Sequence, residues 1–202
     1  GLGGAATLLE GPLSKSSSYI FSFRRSYLDV IAGALNAGGL PSYDDIQGKV
    51  TFQPNHYNTL TILSVNGNSL YERTKEDALK EEQSNYGRRK KKQHTIGVNY
   101  RKIWNQSSFS NTSISQSNQR ADAQFLDYNS GSITSMANNQ LKSSSIRQIN
   151  QTSFSNNLSS EYGFEFTSKS LQYDFLLNEL SASQDVSITN SAVFTTFRYL
   201  IA

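Results

Sequence analysis

Four charged side chains fall on the polar sides of segments in which polar and apolar residues alternate. They are Arg24, Lys49, Arg101 and Glu165. Guanidinium, ammonium and carboxylate groups make charge-assisted hydrogen bonds to charged or polar molecules. We therefore assign these four residues as candidates for contact with a bound solute. The alternative role of Arg24 is to hold a carboxylate at a polar rim, and that of the other three is contact with water or with another part of the protein.

The chain offers little for covalent catalysis or for metal binding. It has no cysteine, which excludes a disulfide framework and a thiolate metal site. His56 and His94 lack neighbours at ligand spacing, and Asp44-Asp45 and Glu81-Glu82 are adjacent in sequence rather than facing each other as glycosidase carboxylates do. No Gly-x-Ser-x-Gly turn and no phosphate-binding glycine loop occurs. We predict a protein that is not an enzyme, with no catalytic residues, no cofactor and no metal.

Five consecutive basic residues, Arg88–Lys92, form the densest charge in the chain. Such a run can neutralise nucleic-acid phosphates. Here it has one neighbouring aromatic residue, Tyr86, it is offset by Glu81 and Glu82, and the net charge of the whole chain is only +3. We predict no nucleic-acid partner and interpret the run as part of a solvated loop.

The composition is polar without being strongly charged. Hydrophobic residues make up 36% and charged residues 17% of the 202 residues, against about 45–50% and 25% in ordinary domains. Serine (32) and asparagine (18) supply about a quarter of the chain, and the aromatic content of 11% argues against disorder. The chain has no run of 18 apolar residues, so we predict no transmembrane helix. Its first residues lack the pattern of a signal peptide, so we expect a mature chain or a piece of a longer one.

Alternation of polar and apolar residues, the period of a strand with one apolar face, recurs along the chain. It is clearest at Ser18–Ser26, Ile46–Gln53, Thr95–Trp104 and Glu161–Thr167. Weaker strands are predicted at Ala5–Gly11, Thr59–Asn66, Phe109–Gln116, Ser145–Ser155 and Val186–Leu200. Leu171–Phe175 continues the strand from Glu161 in the opposite phase, which predicts a bulge near Ser168–Ser170. The total is about nine strands.

The connections between these strands alternate in length. The short ones are Pro12–Ser17, Pro54–Asn58, Asn105–Ser108 and Asn156–Ser159, and the long ones are Asp29–Asp45, Gly67–Gln93 and Ser117–Ser144. The last connection, Leu176–Asp185, is intermediate in length. In an up-and-down sheet this places all short turns at one end, a pattern typical of outer-membrane barrels. Aromatic residues at strand ends are consistent with girdles at the two membrane interfaces; they are Tyr27, Tyr57, Trp104, Tyr173 and Tyr199.

Two stretches resemble the early barrel of TonB-dependent outer-membrane receptors. They are Gly11-Pro12-Leu13 and Ser22-Phe23-Arg24-Arg25-Ser26-Tyr27-Leu28-Asp29, and Tyr43–Lys49 and Asn58–Thr61 are similar to the strands that follow in that family. The resemblance covers the first half of the chain through motifs and the second half through pattern, as in Glu161–Phe166. It implies that residues 1–202 are a partial barrel domain, about nine antiparallel strands of a barrel of about 22, with no plug domain in this chain.

The resemblance also implies a function. Such a receptor takes up a scarce small solute by active transport across the cell outer membrane, energised by a TonB-type inner-membrane complex that acts through the plug. Arg24, Lys49, Arg101 and Glu165 would then face the lumen, and the basic run, on an external loop, would meet lipopolysaccharide and outer-membrane lipid.

Two other classes of protein fit parts of the pattern. A soluble β-sandwich or jelly-roll module that binds carbohydrate predicts that Ile96, Val98, Tyr100, Phe164 and Phe166 pack against a second sheet. A porin or adhesin barrel without a plug predicts the same wall without energised uptake.

Overall fold

The computed structural model describes residues 4–28 and 41–201. They form nine strands and one short helix. The strands are β1 (Gly4–Ser14), β2 (Ser17–Ser26), β3 (Ser42–Asn55), β4 (Asn58–Arg73), β5 (Asn85–Asn105), β6 (Ser108–Asp127), β7 (Ile133–Ser153), β8 (Leu158–Leu177) and β9 (Leu180–Tyr199), and the helix is α1 (Lys75–Lys80). Each strand pairs antiparallel with its sequence neighbour, in the order β1 to β9, so the described residues form one open up-and-down sheet. The predicted all-β architecture and its nine strands are confirmed.

The short turns lie at one end of the sheet, as predicted, but the long connections are shorter than predicted. The segment Gly67–Gln93 is mostly ladder, because β4 runs to Arg73 and β5 begins at Asn85. In the predicted loop Ser117–Ser144, only residues 128–132 connect the strands, because β6 ends at Asp127 and β7 begins at Ile133. Backbone pairing continues into these polar stretches because a ladder needs no apolar alternation. Most of the predicted loop Asp29–Asp45 lies outside the described residues.

Helix α1 sits in the one described connection that remains long. Thr74 caps it reciprocally: its Oγ1 accepts from Asp77 N at 3.1 Å, and Asp77 Oδ2 accepts from Thr74 N at 3.1 Å. This arrangement satisfies two backbone donors at the helix start. No helix in the described ranges has both the length and the apolar character needed to span a membrane.

Directly paired residues in an antiparallel ladder share one face of the sheet. One row of such pairs runs Val50–Ile62–Val98–Ile114–Ile146–Phe166 across β3 to β8. We call the face that carries this row the banded face and the other the opposite face. On β5 the apolar side chains of the banded face extend from Ile96 to Trp104, and on β8 from Leu158 to Phe166, a height of nine residues in each case. About 9–11 residues are needed to cross a bilayer as a tilted strand.

The apolar band crosses the ladder obliquely. Its upper limit is Ile46 on β3, and the row of pairs through Ile46 reaches Ser187 on β9. Ser187 is six residues above Val193, the topmost apolar residue on the banded face of β9. A drop of about 20 Å across six strand spacings of about 4.8 Å corresponds to a tilt of about 35°. The strands of membrane barrels are tilted by about 35–45° from the barrel axis. With that tilt, the upper edge of the band lies parallel to the plane of a membrane.

The sheet has almost no core of its own. Ala78, in the helix, is the one fully buried hydrophobic residue among those described. Val98 is 38% exposed, and Ile96, Tyr100, Phe164 and Phe166 are exposed to a similar extent. No second sheet covers them in the described ranges, which is the opposite of what a sandwich predicts. This apolar surface can therefore be buried only by something outside the described part of the chain.

Candidate functional site

All four candidate residues lie on the opposite face. Arg24 pairs with Asp45, Lys49 with Leu63, Arg101 with Asn111, and Glu165 with Arg147. The strands that carry them are separated, however: Lys49 on β3 and Glu165 on β8 are five strand spacings apart, or about 24 Å. The four residues share a face but do not form one site.

Two of the four candidates are engaged in ion pairs. Arg24 Nε donates to both carboxylate oxygens of Asp45, at 3.0 and 2.8 Å, and Gln47 Nε2 donates to the same carboxylate at 3.2 Å. Arg147 Nε lies 3.5 Å from Glu165 Oε2. The Arg24 contact matches the alternative role predicted for that residue, whereas the ion pair of Glu165 was not predicted.

The other two candidates have different surroundings. The guanidinium of Arg101 lies over the ring of Phe109, 4.6 Å from its centroid, a favourable cation–π geometry. Lys49 is exposed and has no ion pair among the described residues. Lys49 is therefore the candidate whose charge stays available to a solute.

Hydroxyl and amide groups cover the lower part of the opposite face and bond across the strands. Asn99 Nδ2 donates to Ser113 Oγ at 2.8 Å, and the hydroxyls of Ser115 and Ser145 are 2.8 Å apart. Thr95 and Ser117 make a similar contact at 2.9 Å. Serine, threonine and asparagine thus give this part of the opposite face a polar surface in which side chains of neighbouring strands bond to each other.

A depression of about 430 Å³ opens on the opposite face, above the level of the band. Its lining comes from β3 to β8, mostly from two adjacent rows of paired residues. One row is Asp45, Gly67, Gln93, Gln119, Leu141 and Leu171, and the other is Tyr43, Ser69, Lys91, Ala121 and Asn139. Strands about 24 Å apart contribute to one depression, so the opposite face is concave here.

The lining combines apolar side chains with hydrogen-bonding groups. Leu141 and Leu171 provide apolar surface, Gln93 and Gln119 provide amides, and Lys91 provides a cation. Pockets that bind small molecules combine apolar walls with a few convergent polar groups in this way.

One acceptor in the lining is unsatisfied. Asn139 Oδ1 is buried and has no hydrogen-bond partner within the described part of the chain. Buried polar atoms normally have a partner, so this oxygen is suited to a donor from a bound molecule.

The two faces exchange character above the band. On the opposite face of β8, Leu171, Tyr173 and Phe175 follow the polar residues Glu165, Thr167 and Lys169 without any break in pairing to β7 or β9. The predicted bulge at Ser168–Ser170 is therefore wrong: the apolar phase changes because the apolar side of the sheet changes.

Aromatic contacts mark the upper part of the opposite face. The rings of Tyr173 and Phe175 stack at 6.1 Å between centroids, and Tyr71 and Phe125 lie 6.5 Å apart. Tyr173 thus belongs to this face and not to a membrane girdle, which corrects that part of the prediction. Trp104 and Tyr199 lie at the short-turn end as expected, 59% and 67% exposed.

The basic run Arg88–Lys92 lies in strand β5 and not in a loop. Its side chains alternate: Arg88, Lys90 and Lys92 are on the banded face, and Arg89 and Lys91 are on the opposite face. Only Lys91 and Lys92 of the run border the depression. The structure thus divides one charge run between two surfaces.

Comparison with known proteins shows which solved structures share the fold of this chain. No family model and no curated protein matches the chain. The ferric citrate transporter FecA in its unliganded form matches at a TM-score of 0.67 and 8% identity, covering 98% of this chain and 33% of that one. The ferric yersiniabactin uptake receptor FyuA from Yersinia pestis matches at 0.64 and 9% identity, covering 95% and 34%. The chain therefore spans about a third of the length of these structures and has the fold of a part of their barrels, as the resemblance to TonB-dependent receptors implies.

Proposed function

We propose that this chain is part of the wall of an outer-membrane receptor that takes up a scarce small solute, with energy supplied through a plug by a TonB-type inner-membrane complex. The observation that carries the proposal is the uncovered apolar band, nine residues high on β5 and β8. Lipid is the medium that can bury such a band, because the backbone groups between neighbouring strands are paired within the ladder.

The concave opposite face supplies the place for a solute. Its lower part is lined with hydroxyl, amide and charged groups, and the depression above the band offers apolar walls, amides and the ammonium group of Lys91. In this scheme the protein carries out no covalent chemistry, and the solute enters through the depression before it reaches the polar lower part.

Labelling of introduced cysteines tests the membrane assignment. The 202 residues contain no cysteine, so Val98→Cys and its neighbour Asn99→Cys each place a single thiol in this region of the full-length protein. In intact outer membranes, a charged maleimide should label the Asn99→Cys thiol in the wet interior and leave the Val98→Cys thiol unlabelled in lipid. Equal labelling of both thiols would contradict the proposal.

A second measurement tests energised uptake. A strain lacking the gene is compared with its parent for uptake of a ferric siderophore, cobalamin, an oligosaccharide and a peptide, with and without a functional TonB-type complex. The proposal expects one of these uptakes to require both the gene and the complex. Gene-dependent uptake that survives loss of the complex would instead indicate a porin without a plug.

A further inference from the structure

We propose that a polar patch inside the apolar band is the interface through which two copies of this chain pair in the membrane. The patch lies on the banded face and consists of Ser110 and Thr112 on β6 and of Gln148 and Asn150 on β7. The inference rests on the proposed function, because it requires the banded face to lie in a lipid bilayer.

The patch lies within the height of the band and not at its edge. One row of directly paired residues crosses β4 to β9 and is apolar except at its two middle positions. This row is Leu60, Tyr100, Thr112, Gln148, Phe164 and Val193. In the next row towards the short turns, Ser110 and Asn150 lie between Lys102 and Tyr162. Apolar residues on both sides therefore fix the depth of the patch in the bilayer.

Strands β6 and β7 differ from their neighbours at this depth. On the banded face, β5 and β8 each present four large apolar side chains across the band. From the level of Ile114 and Ile146 down to the short turns, β6 and β7 present only those two apolar residues. A strand that meets lipid is expected to keep apolar residues at its outward positions. The two strands therefore break the rule that the rest of the band follows.

A groove runs along the upper end of the patch. It has a volume of about 430 Å³, and Val98 on β5 and Phe166 on β8 line its two sides. Gln116 and Ser144 add an amide and a hydroxyl to its lining. A lipid acyl chain in this groove would leave these polar groups without hydrogen bonds, which is unfavourable.

The patch itself contains groups that have no hydrogen-bond partner. Gln148 Nε2 donates to Asn150 Oδ1 at 3.2 Å, and Asn150 Nδ2 donates to the carbonyl oxygen of Tyr162 at 3.4 Å. The hydroxyl of Thr112 and the Oε1 atom of Gln148 bond to no other residue in the described part of the chain. Hydrocarbon supplies neither donors nor acceptors, so a protein surface is the better cover for this part of the band.

The chemistry of the patch favours a second copy of the same chain as that cover. Hydroxyl and amide groups both donate and accept hydrogen bonds, so a surface that carries them is complementary to itself. The patch has no charged side chain that would repel a copy, and the ammonium group of adjacent Lys102 lies over the Trp104 ring, 3.8 Å from its centroid. Polar side chains also join membrane-spanning helices by hydrogen bonds between them.

The geometry of a membrane adds to this complementarity. Two copies in one membrane have the same orientation and hold their patches at the same depth. A half-turn about an axis normal to the membrane brings the two patches face to face, as in other symmetric dimers. The Gln148 side chains of the two copies then lie close to that axis.

Oxidative cross-linking of single introduced cysteines tests the pairing in intact outer membranes. The full-length receptor carries either Gln148→Cys in the patch or Phe52→Cys, which lies on the same row of pairs, four strand spacings or about 19 Å away. After oxidation with copper phenanthroline, we expect Gln148→Cys to give a covalent product of twice the receptor mass. Phe52→Cys and the parent should remain monomeric. No product, a product of another mass, or equal cross-linking at both positions would overturn the inference.

A second variant tests the hydrogen-bonding groups themselves. Thr112→Val with Gln148→Leu removes the polar groups of the patch and keeps the size of the side chains. The control, Thr61→Val with Gln151→Leu, makes the same two changes on the opposite face. Single-molecule photobleaching in vesicles counts the copies in each complex, and we expect the patch variant to dimerise about tenfold or more weakly than the control. Equal dimerisation of the two variants would contradict the inference.

Outer-membrane fractionation of the same strains separates this failure from failure of the proposed function. A receptor that fractionates with the outer membrane but stays monomeric refutes only the pairing of two copies. A receptor that is absent from that membrane refutes the proposed function.

Discussion

Arg24 and Asp45 are directly paired across β2 and β3, and the Arg24 Nε lies 3.0 and 2.8 Å from the two carboxylate oxygens of Asp45. The arginine side chain is 52% exposed, whereas that of Asp45 is 13% exposed. Asp45 also borders the depression. The pair therefore holds Arg24 beside the edge of the candidate solute site.

The first prediction concerns this pair. In a double-mutant cycle with Arg24→Gln and Asp45→Asn, we expect a coupling free energy no larger than that of an ordinary surface ion pair, because water screens the exposed guanidinium. Urea unfolding of the full-length protein in detergent micelles measures it. A coupling several times larger would show that the pair is a principal stabilising contact of the wall.

The second prediction tests the two faces by charge placement. Val98→Arg puts a cation in the middle of the band and should destabilise the protein in lipid vesicles by about 2–4 kcal/mol. Asn99→Arg, one residue away, places the same charge on the polar face and should cost far less. Folding equilibria in vesicles provide the measurement, and equal costs would argue against lipid at the banded face.

The third prediction concerns a close backbone approach at Gly163. A Cβ added there would overlap the carbonyl oxygen of Gln148 on β7, whereas a Cβ at Gly48 would meet nothing within 4 Å. Gly163→Ala should therefore destabilise the sheet by about 1–3 kcal/mol, the usual cost of overpacking. Gly48→Ala is the matched control and should be close to neutral in the same unfolding assay.

The fourth prediction concerns uptake through the depression. Leu141→Arg places a long cation between Gln119 and Leu171, so we expect the apparent affinity for the transported solute to fall about tenfold or more, the cost of losing an anchor contact. Gln140→Arg puts the same side chain on the other face and should leave uptake unchanged. Immunoblots of outer membranes confirm equal amounts, and normal uptake by the Leu141→Arg protein would rule out the depression as the entry site.

The fifth prediction concerns pH at the turn between β6 and β7, outside the band. The backbone N–H and then the hydroxyl of Ser130, together with the N–H of Asn129, donate to the Asp127 carboxylate and lower its pKa. A lowered pKa means that the carboxylate stabilises the turn above the usual Asp range, and that this stabilisation is lost as pH falls through the lowered pKa. The protection factor of the Ser130 amide, its exchange rate relative to the intrinsic rate at each pH, should fall at acidic pH, and Asp127→Ala should show the lower protection already at neutral pH.

Much of the fold could be predicted from alternation. Tyr19, Phe21 and Phe23 identify a strand because their polar neighbours point the other way, and the same holds at Tyr162, Phe164 and Phe166. Alternation weakens where both faces are mixed, which is why the upper parts of β4 to β7 were predicted as loops. In these upper parts the strands are held together by backbone hydrogen bonds, and their register continues that of the lower parts. Neither feature produces a pattern in the local sequence.

The candidate site was only partly predictable. The polar face of Arg24, Lys49, Arg101 and Glu165 follows from alternation alone. The depression does not, because Tyr43, Lys91 and Leu171 are far apart in sequence and come together only through the register of six strands. The opposite phase of Leu171–Phe175 was the available signal, and it indicated a change of face rather than a bulge.

The exchange of faces above the band has a consequence for register. A strand that slipped by one residue would turn every side chain to the other side. In the lower half, lysines and arginines would enter hydrocarbon, and in the upper half leucines and phenylalanines would turn outward to water. A one-residue slip in register is therefore unfavourable at both ends of each long strand, in lipid at the lower end and in water at the upper end. The two penalties together fix the strand pairing.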